Sequence, residues 1–210
     1  MESGFAYEKI VWLLCCLLLS SCLSEQVAVT TPDLSFTQSG DLIYRFGDGF
    51  FSGFFRDFST REKLYSHVGI ILRPENSDSV FVMHAEASEL TGIGNVRRDP
   101  ASIFLKGVDE WAVYRVQATE NQRREIASLA FLYHQKNVPF DSHFDTEDST
   151  AIYCTELVAR CVNKALGRFL IKPGVTRSGK QFIAIDDTYL IDEIKLIKKS
   201  NTPKNGIQSY

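Results

Sequence analysis

A polar run, Asp145-Thr146-Glu147-Asp148-Ser149-Thr150, gives way at Ile152 to an apolar-periodic segment that closes near Gly167. A cysteine, Cys154, stands where one becomes the other. The segment reads as a helix with Ser149 or Thr150 as N-cap and Cys154 in its first turn or so. A thiol there feels the positive end of the helix dipole, which favours the thiolate. Far upstream, the strand-like run Ser66-His67-Val68-Gly69-Ile70-Ile71-Leu72 supplies a histidine. Cysteine plus a sequence-distant histidine is the minimum set for covalent acyl transfer. The chain is therefore expected to fold so that the sulfur at 154 and the imidazole at 67 meet at the mouth of a cleft.

The elements between them follow from pattern. Asp41 to Phe46 reads as a first strand after the turn residue Gly40. Residues 66–72 and 79–87 read as two more, parted by a turn at Arg73-Pro74-Glu75-Asn76. Gly92 to Arg97 adds a short strand, and Asp99-Pro100 opens a helical turn to about Lys106. Trp111 to Val116 alternates as a strand. Thr119-Glu120-Asn121-Gln122 is a capping-box pattern, followed by the helical stripe Ile126, Leu129, Ala130, Tyr133. After the Cys154 helix, residues 187–192 read as a short helix and 193–198 as a last strand. Strands, helix, helix, short strand is an α+β order with an antiparallel sheet. Phe50, Phe51, Phe54, Phe55 and Phe58 recur at helical spacing. This stripe reads first as buried core and second as a greasy lid or acyl groove.

The N-terminus is a separate matter. Ile10 to Leu19 is an apolar run too short for a membrane span and suited to a signal-peptide core. It ends in Leu19-Ser20-Ser21-Cys22, which resembles a bacterial lipobox, so Cys22 is the expected lipidation site. Residues 1–22 are then a signal peptide and 23–39 a tether rich in Ser, Thr and Gln. The catalytic domain covers 40–200, and 201–210 form a polar tail. The expected location is the bacterial cell envelope, as a membrane-anchored lipoprotein. Once Cys15, Cys16 and Cys22 are assigned to that segment, Cys154 and Cys161 remain. On a helix they stand about 10.5 Å apart along the axis, beyond the roughly 7 Å a disulfide tolerates. Cys161, among Val158, Val162 and Ala165, reads as a small core residue. A net charge of −3 gives no electrostatic case for nucleic acid or an anionic surface. A monomer is expected.

In the chemistry, Cys154 is the nucleophile and His67 the base. A third group must orient the imidazole. It is sought on Val80-Phe81-Val82-Met83-His84-Ala85-Glu86, where His84 and Glu86 share a face. A carboxylate holds an imidazolium better than a second imidazole does, so Glu86 is preferred and His84 is the understudy. Tyr44, Tyr153 and Phe54 are candidate substrate-pocket residues. No cluster has metal-ligand spacing and no glycine-rich phosphate loop is present, so neither metal nor other cofactor is expected. A zinc deaminase is excluded: His84-Ala85-Glu86 meets half of that signature, but Tyr153 and Leu157 stand where proline and the second cysteine should be.

Four stretches resemble the YiiX/YaeF family of permuted papain-like enzymes, a branch of the NlpC superfamily. They are Gly40 to Tyr44, Tyr65 to Gly69, Val80 to Ala87, and Pro139-Phe140-Asp141 through Asp148 to Tyr153-Cys154-Thr155-Glu156-Leu157-Val158. Their order, histidine then carboxylate then cysteine, is what circular permutation of papain's cysteine-first layout would give. The resemblance implies Cys154 as nucleophile, His67 as base and Glu86 as third polar residue. It also implies a cysteine-bearing helix packed on an antiparallel sheet or small barrel carrying the other two. Thr155 replaces the usual serine, and His84 is extra. Related acyltransferases of the lecithin–retinol type use a histidine near this place. The expected activity is hydrolysis of an amide, in a peptide or small molecule of the cell envelope, through a thioacyl intermediate. The alternatives are acyl transfer or lipid (thio)ester hydrolysis on the same triad, or a non-catalytic envelope binding module.

Overall fold

The computed structural model describes residues 32–200, apart from 48–52, 54, 55, 89 and 178. Cys22 and the signal and tether assignments up to residue 31 lie outside the described residues. So do Phe50, Phe51, Phe54 and Phe55. The described residues belong to the unit Thr31–Tyr210. Among its described helices none is long and apolar enough to cross a membrane.

Six strands form one antiparallel sheet. They are β1 (Leu42–Arg45), β2 (His67–Leu72), β3 (Phe81–Ala87), β4 (Gly94–Pro100), β5 (Trp111–Val116) and β8 (Ile194–Lys199), in the order β4-β3-β2-β1-β5-β8. A short pair, β6 (Val175–Arg177) and β7 (Lys180–Phe182), makes a separate hairpin that turns at Gly179. Three helices pack on the six-stranded sheet, α1 (Ala101–Phe104), α2 (Glu120–Gln135) and α3 (Cys154–Leu166), with a 3-10 turn at Asp186–Thr188. The α+β expectation with an antiparallel sheet is met.

Period two sorts each strand onto two faces. Leu42, Tyr44, Val68, Ile70, Met83, Ala85, Ala112 and Val116 join the larger core with α2 and α3. Ile43, Ile71, Val82, Trp111 and Val113 join a smaller one closed by α1, through Phe104 and Leu105, and by Leu34. Because both faces are covered, the central strand Leu42-Ile43-Tyr44 is apolar throughout rather than alternating. Gly40 must be glycine: its φ is 86°, and a Cβ there would lie 2.1 Å from the Arg123 carbonyl oxygen.

Both long helices carry the caps that their sequence demands, one of them not at the expected residue. Thr119 caps α2 through a capping box in which Thr119 Oγ1 accepts from the Gln122 N–H at 3.3 Å. In α3 the N-cap is Tyr153, not Ser149 or Thr150. The chain is still extended at Ile152, which bridges Phe140, donates its N–H to Pro139 O and accepts from Asp141 N–H. These bonds delay the helix until Cys154. The helix is buried on nearly every side through its first three turns, as a core helix should be. It ends at Gly167 in the left-handed region.

Candidate active site

Cys154 is the first residue of α3. Its sulfur is approached by three backbone N–H groups, those of Val68, Cys154 and Thr155. The Val68 nitrogen is the amide that follows His67, so the sulfur reaches the backbone of β2 next to the histidine. The sheet allows this because β2 and β3 pair only from Ile70↔Met83 onward, leaving the β2 backbone at His67, Val68 and Gly69 outside that ladder. His67 faces the smaller core with Ile71, whereas Cys154 belongs to the larger one. What links the two faces is the end of β2, where the Val68 N–H next to His67 meets the sulfur.

The thiol is fully buried. The helix-start N–H groups favour the thiolate, as the sequence implies, but burial outweighs them and pushes the Cys154 pKa up to about 12. His67, 9% exposed, is held well below the ordinary histidine value, first by burial and then by the charges of Arg45, His84 and Arg97. The resting pair is therefore a neutral thiol and a neutral imidazole. A sulfur at an open cleft mouth is not what the fold provides.

His67 is hydrogen-bonded to His84, not to Glu86. His67 Nε2 lies 2.9 Å from His84 Nδ1, and His84 Nε2 lies 3.1 Å from Asp99 Oδ2. Both imidazoles pack on the Phe104 ring of α1. Gly69 makes this approach possible: a Cβ there would sit 2.3 Å from a Val82 methyl and 3.2 Å from the His84 Cβ. Glu86 shares the face of His84, as period two requires, but its charge is taken elsewhere. Oε1 is paired with Arg45, and Oε2 is 3.5 Å from Arg97 Nη1 and 4.0 Å from His84 Nδ1. The two arginines, contributed by β1 and β4, pair with the carboxylate that charge favours for orienting His67.

Sequence reasoning misses Asp99. The dipeptide Asp99-Pro100 reads as a helix start, but β4 continues to Pro100, and helix α1 begins one residue later. Alternation along β4 then puts Arg97 and Asp99 on one face, with Arg97 directly opposite His84. Extending that alternation past Arg97 finds it. The hydrogen bond from His84 comes first among the groups that hold the Asp99 carboxyl below the usual range, with Arg97 adding to it. The bond directions assign the protons. A carboxylate only accepts, so His84 Nε2 carries the hydrogen. In neutral His84, Nδ1 then accepts from His67 Nε2–H, leaving His67 Nδ1 with its lone pair.

Two candidate pocket residues are corrected. Tyr44 and Tyr153 have no solvent exposure. Tyr44 OH donates to Thr188 O at 3.0 Å, and its ring lies against those of Tyr65, Tyr114 and Tyr189. Tyr153 stacks on Phe182 and accepts from the Ile183 N–H at 3.1 Å. Flat rings filling one another's gaps are core, not a binding surface. Phe58, the one described ring at the end of the phenylalanine stripe, is also core, 4.5 Å from Phe182. Cys161 is buried and inert: burial pushes its thiol up strongly, against one opposing charge, Lys164. Cys154 and Cys161 are both free thiols.

The fold also makes a donor set that no sequence spacing displays. His67, His84 and Glu86 offer ligand atoms all within 4.8 Å of one another. A metal ion could be held there by residues from two adjacent strands.

Comparisons with known proteins agree with this architecture. A search of curated proteins finds no match. Among solved structures, a metalloprotein, YiiX from Escherichia coli O157:H7, superposes with a TM-score of 0.62 at 17% identity, covering 78% of this chain and 97% of that one. That likeness establishes the shared fold. The sequence profile described as permuted papain-like amidase enzyme, YaeF/YiiX, C92 family, matches residues 36–195, which takes in β1 through the start of the last strand and every residue of the site above. The chain belongs to the YaeF/YiiX family of permuted papain-like amidases.

Proposed function

We propose that this protein is a cysteine amidase that cleaves an amide bond of a cell-envelope substrate through a thioacyl intermediate on Cys154. The observation that carries the reading is the hydrogen-bonded series His67–His84–Asp99 on a strand whose next amide, Val68 N–H, meets the sulfur of a cysteine at a helix start. His67 Nδ1 takes the thiol proton as sulfur attacks the carbonyl, so charge separation is confined to the transition state. The resulting imidazolium is steadied through Nε2–H by His84, whose own ring is fixed by Asp99. The backbone N–H of Cys154 is the expected oxyanion donor. His67 then protonates the leaving amine, and water releases the acid. Because the sulfur is fully buried, turnover requires the residues over it to open for substrate.

The place of His84 favours a second reading, acyl transfer or lipid (thio)ester hydrolysis, since the lecithin–retinol type of acyltransferase resembles this site in using a histidine there. The N-terminal lipobox-like Leu19-Ser20-Ser21-Cys22 would tether either enzyme to a membrane through Cys22.

The test is to incubate full-length protein with a cell-envelope extract and weigh the protein and its peptides. A mass increase on Cys154, absent from Cys154→Ala, is expected. Its size identifies a peptidyl or a fatty acyl group and separates the two readings. The same spectrum reads whether the mature chain starts at a lipidated Cys22. No adduct on Cys154 from either a peptide amide or a lipid ester would leave only a binding module.

A further inference from the structure

We propose that His67, His84 and Glu86 form a binding site for a divalent transition-metal ion of the zinc class. The claim stands on donor geometry. Only its consequence for catalysis rests on the amidase reading. Zinc holds imidazole nitrogens and carboxylate oxygens at about 2.0–2.2 Å in a tetrahedron, which puts neighbouring ligand atoms about 3.4 Å apart. Here His67 Nε2 and His84 Nδ1 are 2.9 Å apart, and His84 Nδ1 and Glu86 Oε2 are 4.0 Å apart. The first edge must lengthen by about half an ångström and the second shorten by about as much, and the His67–Glu86 edge, within 4.8 Å, must close to the same length, by rotation of the partly exposed Glu86 side chain. Two imidazoles and one carboxylate are also the donors zinc accepts when a fourth position stays open.

The outer contacts fit the same reading. Protein zinc ligands are held by a second layer of hydrogen bonds, among them a carboxylate on the far nitrogen of a histidine. His84 has that partner in Asp99, on Nε2, which turns Nδ1 inward. Glu86 has its counterpart in Arg45, which holds Oε1 and turns Oε2 toward the histidines. The charges around the site balance, Glu86 and Asp99 against Arg45 and Arg97. Arg97 is the group an incoming cation must displace from Glu86 Oε2. Its side chain is 46% exposed and can turn into water.

Metal and thiol chemistry then exclude each other. An ion on His67 Nε2 moves the ring proton to Nδ1, with no net proton gained or lost. The lone pair that would accept the Cys154 proton is gone.

The experiment titrates Zn2+ into full-length Cys154→Ala protein by calorimetry, with Co2+ absorption as a second readout of coordination. One equivalent bound at micromolar affinity or tighter, with a tetrahedral cobalt band, is expected. Glu86→Gln and His84→Asn in that background should each weaken binding at least tenfold, and Asp99→Asn by roughly 10–100-fold. Thermal melts check that each variant is folded, and Glu86→Gln, at a partly exposed position, guards against loss of the buried His84. No saturable binding by Cys154→Ala, or binding that is indifferent to both Glu86→Gln and His84→Asn, overturns the proposal. Hydrolysis by zinc-free wild type is scored separately. Its absence beside intact metal binding would sink the amidase reading and leave the metal site standing.

Discussion

Two thiols sit on one helix, two turns apart, and both are buried and free. At the third turn, Cys161 meets apolar neighbours and the distant charge of Lys164. At the first turn, Cys154 meets three backbone N–H groups and the end of β2, with an imidazole pair beyond it. Burial raises both thiols. What separates them is polarity arranged by other elements. A helix start provides N–H groups to any residue placed there. The Val68 N–H is available because the β2–β3 ladder begins only at Ile70. The two thiols thus differ by position against the sheet, not by exposure.

The sharpest way to break the contrast is to remove each sulfur in turn. Cys154→Ala should abolish amide hydrolysis, a loss on the order of 10³-fold or more, because no other nucleophile replaces it. Cys161→Ala should leave kcat/KM within about threefold and lower stability by about 1–2 kcal/mol, the cost of a small cavity in the core. Chemical denaturation and steady-state kinetics on both variants read the two effects. Equal loss of activity in the two would mean that α3 acts only as packing.

A smaller set of effects separates the groups behind His67. His84→Ala should lower kcat on the order of 10²-fold or more, because the imidazolium loses its partner. Asp99→Asn should cost about 10-fold to 10²-fold with KM unchanged, since it frees the ring of His84 without removing it. Glu86→Gln should cost less than about fivefold, its carboxylate being engaged by Arg45 and Arg97. A Glu86→Gln loss as large as that of His84→Ala would restore to the carboxylate the orienting role that its charge suggests.

Strand periodicity marks how far the sequence can be read. Strand, turn and cap residues are local signals. The β6–β7 hairpin is not read from the chain, whereas β1 to β5 and the Thr119 capping box are legible in it. The choice between His84 and Glu86 is not, because residues two apart on a strand share a face and are equivalent until neighbouring strands are known. What distinguishes them comes from β1 and β4, whose Arg45 and Arg97 pair with Glu86 while His84 meets His67. Asp99 is hidden behind Pro100, whose usual meaning is a helix start. The N-cap of α3 lies three or four residues beyond the serine and threonine that pattern favours, because the bridge from Ile152 to Phe140 is a tertiary contact that outranks an available cap. The high thiol pKa has the same origin, since the dipole is local and the burial that overrides it is not.

The first turn of α3 differs from the third in a further respect, which a pH titration of stability can measure. Glu156 lies in the same buried turn as Cys154, and its Oε2 accepts the Tyr153 N–H at 3.5 Å. Burial raises its pKa to about 7, against the lowering effect of Arg160, its ion-pair partner. A carboxyl raised in the folded state binds its proton more tightly there than in the unfolded chain. Its contribution is therefore whole below about pH 4.5 and is lost as pH rises toward about 7, by up to about 3 kcal/mol. Glu156→Gln cannot ionise, so wild type minus variant should show stability falling across that window and flat outside it. Arg160 keeps a bond to Asp148 O at 2.8 Å, so the variant does not strand a buried cation. Asp187, also raised by burial, is present in both proteins and cancels in the difference. Cys161→Ala, at the other end, should leave the slope unchanged. A difference curve that rises with pH would mean that Glu156 is ionised in the folded protein, with Arg160 outweighing the burial around it.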